Sequence, residues 1–429
     1  MMSIAGLKQI TSASLYRNSI FMMTDSAVSS AFGFIFWIIA ARLYSADNVG
    51  AATAIISALY LLAAISLVGL NISIVRFLPE TDKPQQLINS VITTVGAASL
   101  IFAIIFISGL PLWSPQLAFI VRDNILLPTV LAMAILFALS HSIDFVFVAT
   151  RKTGFILLKN TIFSISKILL LVILVFFLHS LGILISWGIA ILLSILISLF
   201  WFLPRSQPGY RPALNFKIHQ FRSISSYSSG SYVASLLSLS PGLVLPLIVV
   251  NVLGTEANAY YYIACTVSNL LALFSLAISK SFFAEGSQPG ANFKECLNKS
   301  IKFTLIITVP AVILMIILSK WILLAFGPDY SANALTLLVL LSVASLPRGL
   351  HFIYVSFLRI QNRIKELVVI HSIAAAATIG LSIWAVRDYG INGIGYVLLG
   401  TQSIVALIFI IRILLWSKQS CPANQESGL

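Results

Sequence analysis

The 429-residue chain is 59% hydrophobic and only 9% charged, against roughly 25% charged in an ordinary soluble domain. That excludes a soluble globular protein, a disordered chain and a disulfide-framed secreted domain. Twenty-six Lys and Arg against thirteen Asp and Glu leave a net charge of +13, and the basic residues sit in short connections between apolar runs, which points to membrane orientation and not to nucleic acid.

Twelve apolar runs follow in chain order, near 19–41, 49–75, 86–109, 124–148, 156–178, 182–203, 227–250, 258–283, 301–325, 332–358, 366–386 and 391–416. A spanning helix needs roughly 20 apolar residues, so each run is a candidate span. Barrel strands are about ten residues long and alternate apolar with polar. These runs do neither, and in lipid a helix satisfies its own backbone hydrogen bonds. The first run is too long for a signal-peptide core and is read as a retained span.

Twenty basic residues fall before span 1, after span 12, or beside the connections that join even to odd spans, Lys159 of the 4–5 turn among them. The opposite side holds four, Arg42, Arg122, Lys320 and Arg387, while Lys167 and Arg348 lie inside spans. This asymmetry places both termini in the cytoplasm. The expected fold is an all-α polytopic membrane protein with two six-helix bundles, at 1–203 and 227–418. A basic cytoplasmic linker, 204–226, joins them, and a tail covers 419–429. The linker reads either as a contact for anionic lipid headgroups or as a positive-inside connector.

Landmarks recur across that linker. Asp47 aligns with Glu256 at an offset of 209, Trp113 with Trp321 at 208, and the LGI at 181–183 with the YGI at 389–391, again at 208. Six is an even number of spans, so the two units share one orientation and form parallel repeats. Two such bundles enclosing a central cleft can expose it to either side by rocking. Cys265, Cys296 and Cys421 show no metal-ligand spacing. No nucleotide-binding loop is present, and neither a cofactor nor a metal is expected.

The stretch ARLYSADNVGAATAI, followed by Gly69, Leu70 and Arg76, resembles the helix 1–2 region of the polysaccharide-transporter branch of the multidrug/oligosaccharidyl-lipid/polysaccharide flippase superfamily. These are the Wzx-like O-antigen and exopolysaccharide flippases. The matching residues are Arg42, Asp47, Gly50, Gly69, Leu70 and Arg76; ILLAFGPDYSANALTLLVLLSVA and YGINGIGY resemble later parts of the same family. The resemblance implies a MATE-like fold and transfer of a polyprenyl-diphosphate-linked oligosaccharide from the inner to the outer leaflet of the cytoplasmic membrane. It also implies a polysaccharide polymerase and glycosyltransferases as partners. The chain is not expected to be an enzyme, since ligases and polymerases of this class need a large external loop. The alternative is a cation-coupled multidrug or metabolite antiporter.

A diphosphate-linked sugar needs cations in a wet cleft, and charge buried in a membrane usually faces one. Arg348 is the first candidate, because a guanidinium fork suits phosphate oxygens. His351 shares its face at i,i+3, and Lys167 is similarly deep. Alternatively, Lys167 pairs internally with Asp144. His141 and Asp144 could carry a coupling proton. Asp25 reads as a cation ligand, a gate partner or a water-exposed acid near the start of span 1. Arg42 and Arg76 at helix ends either snorkel to headgroups or gate, as the family likeness allows. Tyr260, Tyr261 and Tyr262 are either a sugar-stacking surface or an interfacial belt. Pro241 and Pro246, with Gly230 and Gly242, make span 7 the expected bending element.

Overall fold

The computed structural model of the chain describes residues 4–178, 181–215, 222–288 and 292–419. All regular structure among these residues is helical. Seven helices of eight residues or more come first: α1 (Ile4–Leu43), α2 (Ala46–Ser66), α3 (Leu70–Phe77), α4 (Pro84–Ser108), α5 (Leu126–Ala149), α6 (Gly154–Leu174) and α7 (Gly182–Ile197). The last continues through a π-helical turn, Ser198–Phe202, into a short helix at Leu203–Ser206. Then follow α8 (Arg222–Leu253), α9 (Thr255–Gly286), α10 (Phe293–Phe326), α11 (Pro328–Ile360) and a final stretch, Ile364–Gln419.

That final stretch is two helices. Gly390 sits inside it at φ 58°, ψ −148°, a backbone region essentially reserved for glycine. We label its arms α12 (364–389) and α13 (391–419). Eleven helices are long and apolar enough to span a membrane, and the last of these covers 52 residues. With the break at Gly390 counted, the described residues supply the twelve expected spans of a multi-pass membrane protein.

Span 2 departs from the expected single helix. Val68 and Gly69 adopt φ 43° and 77°, and the helix stops at Ser66 and restarts at Leu70. The break frees carbonyls that cannot be left bare in a membrane. Tyr232 of α8 meets them, its hydroxyl donating to the Ala64 and Ile65 oxygens, each at 2.9 Å. Helix α8 itself runs continuously through Pro241 and Pro246. Proline cannot donate to the carbonyl four residues back, which for Pro241 is Leu237, and Ser240 Oγ donates to that oxygen at 3.0 Å.

By contact the chain forms two compact units. The first comprises residues 1–263 and 325–330, and the second 264–324 and 331–429. The division does not fall at the basic linker, because α8 packs along α2 and α3 and so joins the first unit. Within that unit, α6 also packs on α1 and α7, and α5 on α2 and α4. The start of α9 lies against α2 so closely that a Cβ on Gly50 would stand 1.6 Å from the Thr255 carbonyl oxygen. Asn258 Nδ2 donates to Gly50 O at 2.8 Å and to Thr53 Oγ1 at 2.9 Å, and Thr255 Oγ1 donates to Asp47. Small residues with polar cross-links are the usual means of joining helices in lipid. Asp47 and Glu256, aligned by sequence, therefore open two helices that touch each other.

Candidate functional site

A deep ion pair joins two helices of the first unit. Asp144 Oδ1 of α5 lies 2.7 Å from Lys159 Nζ of α6, with the lysine side chain only 1% exposed. Lys159 also donates to Ser140 Oγ at 2.8 Å and Ser140 O at 3.1 Å. Lys159 was expected beside the cytoplasmic turn; it lies within α6 instead and points into the unit. The Asp144–Lys167 pair considered from the sequence does not form, because Lys159 occupies that position. Asp25 of α1 accepts from Asn160 Nδ2 at 3.0 Å and from Ser29 Oγ at 3.4 Å. His141 packs its ring 5.8 Å from that of Tyr60.

Lys167 is enclosed, not displayed on a cleft wall. It is 5% exposed, and its ammonium lies 5.0, 4.7 and 4.6 Å from the ring centroids of Phe36, Phe163 and Trp187. Among the described residues it has neither an ion pair nor a hydrogen bond. The rings supply the compensation, since a desolvated cation over aromatic faces gains about 2 kcal/mol. Three rings thus surround the ammonium that the sequence offered for phosphate.

The second unit gathers the other deep cation. Arg348 Nη1 of α11 donates to Asn269 Oδ1 of α9 at 2.9 Å, and its guanidinium lies 5.6 Å from the Phe352 ring centroid. Both contacts are neutral, and Arg348 is only half-buried. His351 does not line a surface beside it. Its Nδ1 meets Gln402 Oε1 of α13 at 2.9 Å, and its Nε2 is sealed from solvent. Nearer the end of α11, Tyr354, Arg363 and Arg412 converge on Glu366.

The remaining candidates are tied into the packing. Arg42 Nε donates to Ala325 O at 2.9 Å, a link between α1 and the end of α10 within the first unit. Arg76 stands over the Phe77 ring at 5.5 Å. Tyr260 and Tyr261 are 7% and 3% exposed; Tyr260 donates to Glu256 Oε1 at 2.6 Å, and Tyr262 packs on Trp37. The tyrosine run is thus core packing, neither an interfacial belt nor an open sugar platform.

The basic linker is docked over its described part. Gln85 and Asn89 of α4 both donate to Arg211 O, at 3.1 and 2.9 Å, and Lys152 Nζ donates to Arg205 O at 2.7 Å. Between these ties Tyr210 is 5% exposed, and burial pushes its phenol up to about 12. Lys217 and the tail beyond 419, with Cys421, lie outside the described residues.

A family model described as polysaccharide biosynthesis protein matches residues 38–334, more than half of the chain. The chain belongs to that family. No curated protein sequence matches this member of the polysaccharide biosynthesis family, but solved structures do. Lipid II flippase MurJ in an inward closed conformation is similar at a TM-score of 0.74 and 17% identity, covering 92% of this chain and 87% of that one. An inward-facing multidrug resistance MATE family transporter of the MOP superfamily follows at 0.69 and 13%, covering 92% and 96%. A crystal structure of MATE in complex with MaL6 gives 0.62 and 14%, covering 94% and 97%. The family member thus has the fold of MOP-superfamily transporters and flippases, as the sequence resemblance implied.

Sequence reasoning missed Asn269, Gln402 and Asn160, the neutral amides that hold Arg348, His351 and Asp25. The available signal was their scarcity. An amide inside a long apolar run is costly to leave unpaired, though less so than a charge, and each of these three sits opposite a titratable residue.

Proposed function

We propose that this protein moves a polyprenyl-diphosphate-linked oligosaccharide from the inner to the outer leaflet of the cytoplasmic membrane, by alternating access, for surface polysaccharide synthesis. Arg348 carries this reading. It is a permanently charged, planar fork in a membrane helix, held by Asn269 and Phe352 in an orientation that leaves it only half-buried. Such a group suits two phosphate oxygens at once. The family match supplies the polysaccharide, and the flippase neighbour supports a lipid carrier.

The basic residues remain nineteen to four across the two sides once Lys159 is counted inside, which supports cytoplasmic termini. A polymerase and glycosyltransferases are the expected partners on either side of the step. Asp25, His141 and Asp144 are proposed as the ion-responsive group of the first unit, with Arg42 as a tie that must part during the cycle and Arg76 as an orienting group at the headgroups.

The competing reading is a cation-coupled antiporter, favoured by one observation: Asp25 is held by neutral donors and has no ion pair among the described residues. Leaflet sidedness of a labelled prenyl-diphosphate sugar in reconstituted vesicles separates the two. Flipping by the wild type and its loss in Arg348→Ala support the flippase. Absence of flipping together with cation-dependent efflux of an organic cation supports the antiporter.

A further inference from the structure

Helices α11, α12 and α13 bring two histidines together inside the second unit. The His351 and His371 ring centroids are 5.5 Å apart at an interplanar angle of 71°, and His371 is 4% exposed. His351 Nδ1 lies 2.9 Å from Gln402 Oε1. An amide oxygen only accepts, so this bond places the His351 proton on Nδ1. Nε2 is then a bare lone pair, and it is buried with no hydrogen-bond partner among the described residues. A buried lone pair with no donor is costly, and it is the one basic position on this ring that a proton can fill.

We propose that His351 and His371 form a proton-binding site in the second unit, filled at His351 Nε2, and that its occupancy is linked to anion binding at Arg348. Arg348 is three residues from His351 on α11 and shares its face. Among the described residues, those meeting this stretch from other helices are His371 of α12 and the neutral Asn269, Ser275 and Ser279 of α9, Thr304 of α10 and Gln402 of α13. The charges of Glu366, Arg363 and Arg412 belong to a separate cluster around Tyr354, where Glu366 is ion-paired to both arginines.

Two neighbouring imidazoles in one dry pocket cannot both hold a proton cheaply, so the pair takes up one proton as a unit. The guanidinium beside it opposes that proton. An anion on Arg348 removes the opposition, and by linkage the proton strengthens anion binding by the same factor. The meaning for transport, a proton bound together with a diphosphate, rests on the function proposed above. The proton site itself does not.

The chain has five histidines, few enough for 15N-imidazole spectra of the full-length protein in nanodiscs, assigned with His351→Gln and His371→Gln. The expected result is a coupled titration of the two rings, in which removing either histidine moves the midpoint of the other by about one unit. His371→Asn serves if the glutamine variant does not fold. Rings that titrate independently, or that hold no proton at any pH where the protein is folded, overturn the site. The second arm adds geranylgeranyl diphosphate in weak buffer and measures binding and proton uptake together. Uptake approaching one proton per protein, lost in both histidine variants, supports the linkage. Binding without uptake overturns the linkage, whereas no binding at all counts against the diphosphate reading and leaves the proton site to be decided by the spectra.

Discussion

Asp144 and Lys159 form an ion pair at 2.7 Å inside the first unit, joining α5 to α6 around a lysine that is 1% exposed. Removing one member of a buried pair strands the other charge and costs about 3–5 kcal/mol, whereas replacing both by apolar residues of similar volume is often close to neutral. Lys159→Met and Asp144→Leu should therefore each lower the thermal midpoint of the detergent-solubilised protein sharply. The double variant should recover most of that loss. Additive losses in the double variant would show that the two residues act separately.

The break in span 2 depends on one hydroxyl. Tyr232 donates to both the Ala64 and Ile65 carbonyls, which the turn at Val68 and Gly69 removes from the regular helical ladder. Tyr232→Phe keeps the ring and deletes the donor, and the expected loss is about 1–3 kcal/mol for the Ala64 oxygen left bare, Ile65 O keeping the Val68 N–H. Hydrogen exchange should rise at residues 66–70 and stay unchanged in α4. Exchange unaltered at the break would mean that Tyr232 is not its cap.

Much of this was legible in the sequence, and the limits follow from the physics. Span number came from run length, because a bilayer fixes how much apolar chain one crossing needs; even the α12–α13 break fell at the YGI landmark. Depth was harder to read. Lys159 stands five residues into α6 and was grouped with the Arg151 and Lys152 turn, since a basic residue near a helix end ordinarily snorkels outward. Only the position of Asp144 on another helix turns it inward. The depth of Lys167 follows from its place in an apolar run, but the three rings that enclose it come from α1, α6 and α7, a coincidence in space that one-dimensional spacing does not carry. The break at Gly69 was hidden for a different reason: a glycine in an apolar run is compatible with a continuous helix.

Asp123 provides a pH-dependent contribution at the entry to α5. Its Oδ1 accepts from the backbone N–H groups of Ile125 at 2.8 Å and Leu126 at 3.0 Å, and these bonds hold the carboxyl below its ordinary value. A depressed carboxylate contributes stability that is fully present above its unfolded value, about 3.9, and is lost as pH falls through the lower folded value. Asp123→Ala should thus lower the thermal midpoint at pH 7. The gap between variant and wild type should close only below about pH 4. A gap that is constant across this range would exclude the carboxylate as its source.

The two deep cations are expected to part company. Arg348 is half-buried against an amide and the Phe352 ring, while Lys167 is shut behind Phe36, Phe163 and Trp187. Arg348→Ala should weaken binding of a prenyl diphosphate by at least about tenfold, the equivalent of one charge-assisted hydrogen bond at 1.5–3 kcal/mol. Lys167→Met fills nearly the same volume without a charge to desolvate, so its binding constant should match the wild type and its stability should change by no more than about 2 kcal/mol, the most the ring contacts can supply. Isothermal titration with geranylgeranyl diphosphate reads the first quantity and thermal unfolding the second. If Lys167→Met loses binding while remaining folded, the aromatic enclosure opens during the cycle and Lys167 reaches the anion after all.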